Sequence, residues 1–79
     1  MLEDIIHNAI GSNIVCDFLD VSGDGKHFDA VIVTNEFVGK NLVARHRLVY
    51  KALGDRMKEE IHALSMKVYT PEEWSKLNG

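Results

Sequence analysis

"IVCDFLDVSGDGKHFDAVIVT", residues 14–34, decides how the rest of the chain is read. Residues 14–21 are apolar and rich in β-formers, and Phe28 to Thr34 is β-branched and aromatic. The cluster "SGDGK" between them is turn chemistry, so the stretch predicts two antiparallel strands joined as a hairpin. The same residues, "DVSGDG", imitate the first half of a calcium loop, with Asp20, Ser22, Asp24 and Gly25 at its first, third, fifth and sixth positions. The twelfth position must be a bidentate glutamate and is Val31, so calcium is set aside and the segment stays a hairpin turn. On this reading Cys16 lies inside the first strand as a small buried hydrophobe.

Working outward, Leu2, Ile5, Ile6 and Ala9 share a face at helical spacing. Glu3 and Asp4 suit the first turn and Gly11 suits a stop, which predicts a short first helix. After the hairpin, "NEFVGKN" is a loop. Leu42, His46, Val49 and Leu53 then recur at helical spacing, and Met57 extends the stripe past Gly54 into an extra turn. "HALSMKVY", residues 62–69, predicts a third strand. "TPEEW" predicts a last helix, with Thr70 as cap, Pro71 in the first turn and Glu73 completing a capping box. Trp74 and Leu77 are placed to lie back on the core. The order is α-β-β-α-(α)-β-α, an α+β domain with a three-stranded sheet and helices on one face.

A chain of 79 residues is read as one domain, residues 1–79, with no room for a second domain bearing an active site. The single cysteine excludes a disulfide framework and a self-contained thiolate metal site. No apolar run approaches the roughly 20 residues that span a bilayer. The start "MLEDIIHNAI" is acidic and unlike a signal or transit peptide. These features predict a soluble cytoplasmic protein without membrane contact. No Ser/His/Asp order, phosphate loop or paired-carboxylate pattern appears, so no enzyme is expected.

The net charge of −3 is unevenly spread. Residues 1–36 carry one cation against seven acids, and residues 37–58 carry six cations against one acid. A basic element on an acidic body suits a specific acidic or phosphate-bearing partner better than tight non-specific nucleic-acid binding. Lys40, Arg45, Arg47 and Lys51 are its candidate contacts, with Arg45 and Arg47 expected to project into water. His46 falls on the apolar stripe, which predicts a core-facing, hydrogen-bonded imidazole. The four histidines are too widely spaced for a local zinc signature. His7 is expected at the surface. His27 ends the hairpin loop, and His62 opens the third strand in phase with Leu64, Met66 and Val68.

"FVGKNLVARHRLVYKAL" followed by "IHALSMKVYTPEEW" resembles the BolA family, and "VSGDGKHF" resembles its short-loop bacterial branch. The resemblance covers nearly the whole chain and implies a class II KH-like fold. It also implies a partner and a cofactor, a monothiol glutaredoxin and a [2Fe–2S] cluster shared with it and with glutathione. In that assembly the glutaredoxin cysteine and glutathione bring thiolates, while the BolA side brings the histidine of the "HAL" motif, here His62, and usually a histidine or cysteine from the loop between the first two strands, here His27. The isolated chain is expected to hold no cluster tightly. The same resemblance carries an alternative, a DNA-binding transcriptional regulator using the basic 40–51 segment. "VGKN" has Gly39 but Leu42 where the second glycine of an RNA-clamping GXXG loop would stand. An adaptor that docks without a cluster is the third reading.

Overall fold

Helix α1, Leu2–Asn13, forms on a four-residue apolar repeat: Ile6 and Ile10 lie one turn apart and both are fully buried. Burying such a side chain is worth about 1.5–3 kcal/mol, so this pair anchors the helix to the sheet. The helix passes Gly11, the expected stop, and ends at Asn13. Asn13 makes the later end possible, because its Nδ2 donates to the Ala9 carbonyl at 2.8 Å and to the Ala52 carbonyl at 3.1 Å.

The computed structural model describes residues 2–55 and 64–79. Strand β1 is Phe18–Gly23, β2 is Phe28–Val33 and β3 is Leu64–Tyr69. The predicted hairpin is present: β1 and β2 pair antiparallel, from Phe18 opposite Val33 to Gly23 opposite Phe28. β3 pairs parallel to β2 on its other side, from Phe28 opposite Leu64 to Val33 opposite Tyr69. The sheet order is therefore β1-β2-β3, with the most apolar strand in the centre.

The first strand begins four residues later than its composition suggests. Ile14 and Val15 spend their backbone groups elsewhere, and Asp17 N–H already reaches β2, at the Val33 carbonyl, at 2.7 Å. Ile14 N–H continues the α1 pattern to Ile10, Val15 N–H donates to Glu36 Oε2, and the Val15 carbonyl accepts from Thr34 Oγ1 at 2.7 Å. Cys16 thus precedes β1 and is half-buried, rather than lying inside the strand.

Phe28, Ala30 and Ile32 of β2 point to the face covered by α1 and by α2, Leu42–Leu53, whose Val49 and Leu53 complete the core. A 3-10 turn at Asn35–Phe37 and Gly39, with φ +79°, bring the chain round to α2, which Asn41 caps through Ala44 N–H. Helix α3, Pro71–Asn78, starts with the predicted capping box between Thr70 and Glu73. Its Trp74 turns to the opposite face of the sheet, 5.2 Å from the Phe18 ring and 5.6 Å from the Tyr69 ring, centroid to centroid. Leu77, expected on the core, is exposed. The extra turn predicted around Met57, and His62 with the first residues of the predicted third strand, lie outside the described residues.

Candidate functional site

The hairpin end is built around one carboxylate. Lys26 N–H and His27 N–H donate to Asp24 Oδ1 at 2.9 and 2.8 Å, and Asp24 N–H donates to the His27 carbonyl at 3.1 Å. Gly25 turns the corner at φ +96°. These backbone N–H groups, His27's first and Lys26's next, hold the Asp24 carboxyl below the ordinary carboxylate range. Gly23 is required by contact: a Cβ there would stand 2.5 Å from Phe28 Cδ1 and 2.8 Å from the His27 carbonyl oxygen. Phe28 is thereby pressed into the core while the His27 side chain, 74% exposed, stays outside. Its Nδ1 lies 3.8 Å from Asp24 Oδ2.

Phe28 follows His27 directly and is paired with Leu64, the first residue of β3, so two parallel strands start side by side at this end of the sheet. His62 stands two residues ahead of Leu64 in the sequence. Cys16 belongs to the opposite end. It precedes β1 at Phe18, and the six residues of that strand, about 17 Å, separate it from the hairpin turn. Its thiol pKa is raised by burial first and by the Glu36 and Asp17 carboxylates next, which is the reverse of what a nucleophile or thiolate ligand needs. Among the described residues no three of His, Cys, Asp and Glu come together as a metal site.

The structure divides the predicted basic group, Lys40 and the cations of α2. Lys40, Arg47 and Lys51 are exposed. Arg45 does not project into water: its side chain is only 12% exposed. Its Nη1 and Nη2 donate to Glu73 Oε1 and Oε2 at 2.7 and 3.2 Å, Nη1 also reaches the Val68 carbonyl at 3.2 Å, and Nε donates to the Lys40 carbonyl at 2.9 Å. The guanidinium lies 5.7 Å from the Phe37 ring centroid. Arg45 is a clamp joining α2, β3 and α3, with four of its five N–H donors committed.

The cause is the true phase of the helix. Val49 and Leu53 of the predicted stripe are buried, but the face runs on through Arg45, Leu48 and Ala52 and not through Leu42. Leu42 is 60% exposed, and His46 is half-buried with no hydrogen bond from its ring to any described residue. Val38, Val43 and Tyr50 join Leu42 among the exposed large apolar side chains, so the cations share this surface with hydrophobic groups that charge counting overlooks. The i, i+4 recurrence of Arg45, Val49 and Leu53 is the signal that could have found the clamp.

Residues 6–73 match the family model described as BolA-like protein. The chain belongs to the BolA family. It is 34% identical over 88 residues to the DNA-binding transcriptional regulator BolA of Vibrio cholerae, covering 99% of this chain and 83% of that one. It is 49% identical over 77 residues to BolA-like protein 2 of Saccharomyces cerevisiae, covering 96% of this chain but only 63% of the longer yeast protein. The crystal structure of a bol-like protein from Babesia bovis superposes with a TM-score of 0.86 at 36% identity, covering 98% and 93% of the two chains. The expected α+β architecture is therefore that of solved BolA structures. No described helix of this BolA-family chain is long and apolar enough to cross a membrane.

Proposed function

We propose that this BolA-family chain shares a [2Fe–2S] cluster with a monothiol glutaredoxin in the cytoplasm, as a non-enzymatic partner in iron–sulfur trafficking or iron sensing. His62 and His27 are the imidazole donors on its side. The observation that carries this reading is the pairing of Phe28 with Leu64, which starts β2 and β3 side by side, with the exposed His27 ring directly ahead of one of them.

The donor chemistry suits such a group. A neutral imidazole binds iron well, His27 is accessible, and neither it nor a half-buried cysteine at the far end of β1 can complete a site alone. The thiolates must come from the partner and glutathione. Two imidazoles on one iron would give a shared cluster a higher potential than an all-thiolate one. The chain's own residues present the ring, fix the turn beneath it and dock the partner through Lys40, Arg47, Lys51 and the exposed apolar residues beside them.

The test is anaerobic reconstitution with a monothiol glutaredoxin and glutathione, followed by visible absorption and circular dichroism. The wild-type mixture should give a spectrum distinct from that of glutaredoxin alone, and His62→Ala should abolish the difference. An unchanged glutaredoxin spectrum with the wild-type chain removes the reading.

A second reading is supported by relatives named as DNA-binding transcriptional regulators. With Arg45 committed internally, three cations of the 40–51 segment remain for phosphates. At about 0.9 per contact, the slope of log K against log salt should not exceed about 3 in magnitude. Titration of a duplex at several salt concentrations reads this slope directly.

A further inference from the structure

We propose that Asp24 is a positioning residue for His27: it holds the imidazole as the Nδ1–H tautomer and leaves Nε2 as the outward-facing donor. The role rests on the reading of His27 as a cluster ligand, but the orientation is a property of the unliganded chain.

The two carboxylate oxygens of Asp24 have separate tasks. Oδ1 accepts from the N–H groups of Lys26 and His27, which fixes both the turn and the Asp24 rotamer. Oδ2 takes no part in those bonds and stands 3.8 Å from His27 Nδ1, too long for a hydrogen bond, so the proposed role requires the exposed imidazole to rotate toward it. A carboxylate can only accept, so it selects the tautomer with a proton on Nδ1. The remaining nitrogen, Nε2, carries its lone pair away from the turn. Metal-binding histidines are commonly oriented this way, with the second nitrogen donating to a carboxylate. Among the described residues, Asp24 is the charged group recorded against the ring, and it belongs to the same turn.

Asparagine at position 24 separates positioning from turn formation. In Asp24→Asn the carbonyl oxygen can still accept from Lys26 and His27, since a flipped amide would set its NH2 against both donors. The NH2 group then replaces Oδ2 and donates toward Nδ1, which inverts the preferred tautomer. The readout is the two-bond proton–nitrogen correlation of the His27 ring in the unliganded protein at about pH 9, well above the ordinary imidazole pKa of about 6.5. Wild type should show a protonated Nδ1 and a bare Nε2, and Asp24→Asn should exchange the two nitrogen shifts while the backbone amides of residues 25–28 keep their positions. The same tautomer in both proteins overturns the proposal.

With glutaredoxin and glutathione, Asp24→Asn should weaken cluster retention by about 10–100-fold. His27→Ala in the same reconstitution keeps the two ideas apart. An unchanged cluster spectrum in that variant removes His27 as a ligand, whereas a changed one with no tautomer exchange in Asp24→Asn removes only Asp24 as its positioner.

Discussion

Removing the Arg45 guanidinium should unfold this domain more readily than removing any exposed cation of the same helix. The side chain is 12% exposed, and one of its donors reaches the part-buried Val68 carbonyl. A hydrogen bond from a charged donor contributes about 1.5–3 kcal/mol, and the approach over Phe37 adds about 0.5–1 kcal/mol. The bond to the exposed Lys40 carbonyl is replaced by water and is given no weight, and neither is the solvent-facing Glu73 pair. Arg45→Ala should therefore cost about 2–4 kcal/mol. For a domain of this size that is a fall in melting temperature on the order of 10–20 °C. Circular dichroism at 222 nm during heating reads it, with Arg47→Ala as the control expected within about 0.5 kcal/mol of wild type. Arg45→Met separates the contributions, because it keeps an apolar stem near Phe37 while losing every donor. A melting temperature for Arg45→Ala within about 2 °C of wild type would refute the clamp and return Arg45 to the docking surface.

Two further outcomes follow from the same contacts. The Arg45 guanidinium beside Glu73, with the Thr70 N–H next in importance, lowers the Glu73 pKa from 4.5 to about 2. Between those values the unfolded chain binds more protons than the folded one, so stability rises with pH. The Glu73 contribution is complete above about pH 4.5 and is lost as pH falls toward 2; melting curves of wild type should drop across that window by more than those of Glu73→Gln. Thr34 is fully buried, donates to the Val15 carbonyl at 2.7 Å and accepts from Glu36 N–H at 3.1 Å. Thr34→Val keeps the shape and orphans both partners, at about 1–3 kcal/mol in urea unfolding, and an unchanged midpoint would show that water satisfies them instead.

These contacts also explain which parts of the molecule its sequence discloses. The hairpin is legible because "SGDGK" interrupts two β-rich runs, and α3 is legible because Thr70, Pro71 and Glu73 form a complete local start signal. Both depend on neighbours in the chain. The errors arise where distant partners decide. Ile14 and Val15 have strand composition, but Ile10 takes the Ile14 N–H and Thr34 and Glu36 take the Val15 backbone groups, so β1 begins late. Arg45 looks like a solvated charge beside His46 and Arg47, and only Glu73, 28 residues away, and the Val68 carbonyl turn it inward. The stripe Leu42, His46, Val49 and Leu53 has the right period and is right at Val49 and Leu53, but its first turn belongs to Arg45 and not Leu42, which periodicity alone cannot detect when a long cation occupies an inward position. His27 is legible as a loop histidine. The Asp24 carboxylate 3.8 Å from its ring is not, because an Asp at this spacing also reads as part of an incomplete calcium loop.

The arrangement has a consequence for the two functional readings. Arg45 ties α2 to Val68, near the end of β3, whereas His27 adjoins Phe28 and Leu64 at the start of the parallel pair. Leu64 to Val68 is about 13 Å of strand, so this anchored turn of the basic helix and the exposed imidazole are at different ends of the sheet. Groups that far apart with no shared partner act on stability and binding almost independently. A ligand contacting only phosphates near Lys40 has no reason to disturb His27, and loss of the His27 ring has no route to weaken such a ligand. A protein partner is different, because an ordinary interface of about 800 Å² per side readily spans 13 Å and can use both ends. The exposed Val38, Leu42, Val43 and Tyr50 weigh in the same direction, since apolar side chains between cations gain from a protein surface and little from a phosphate backbone.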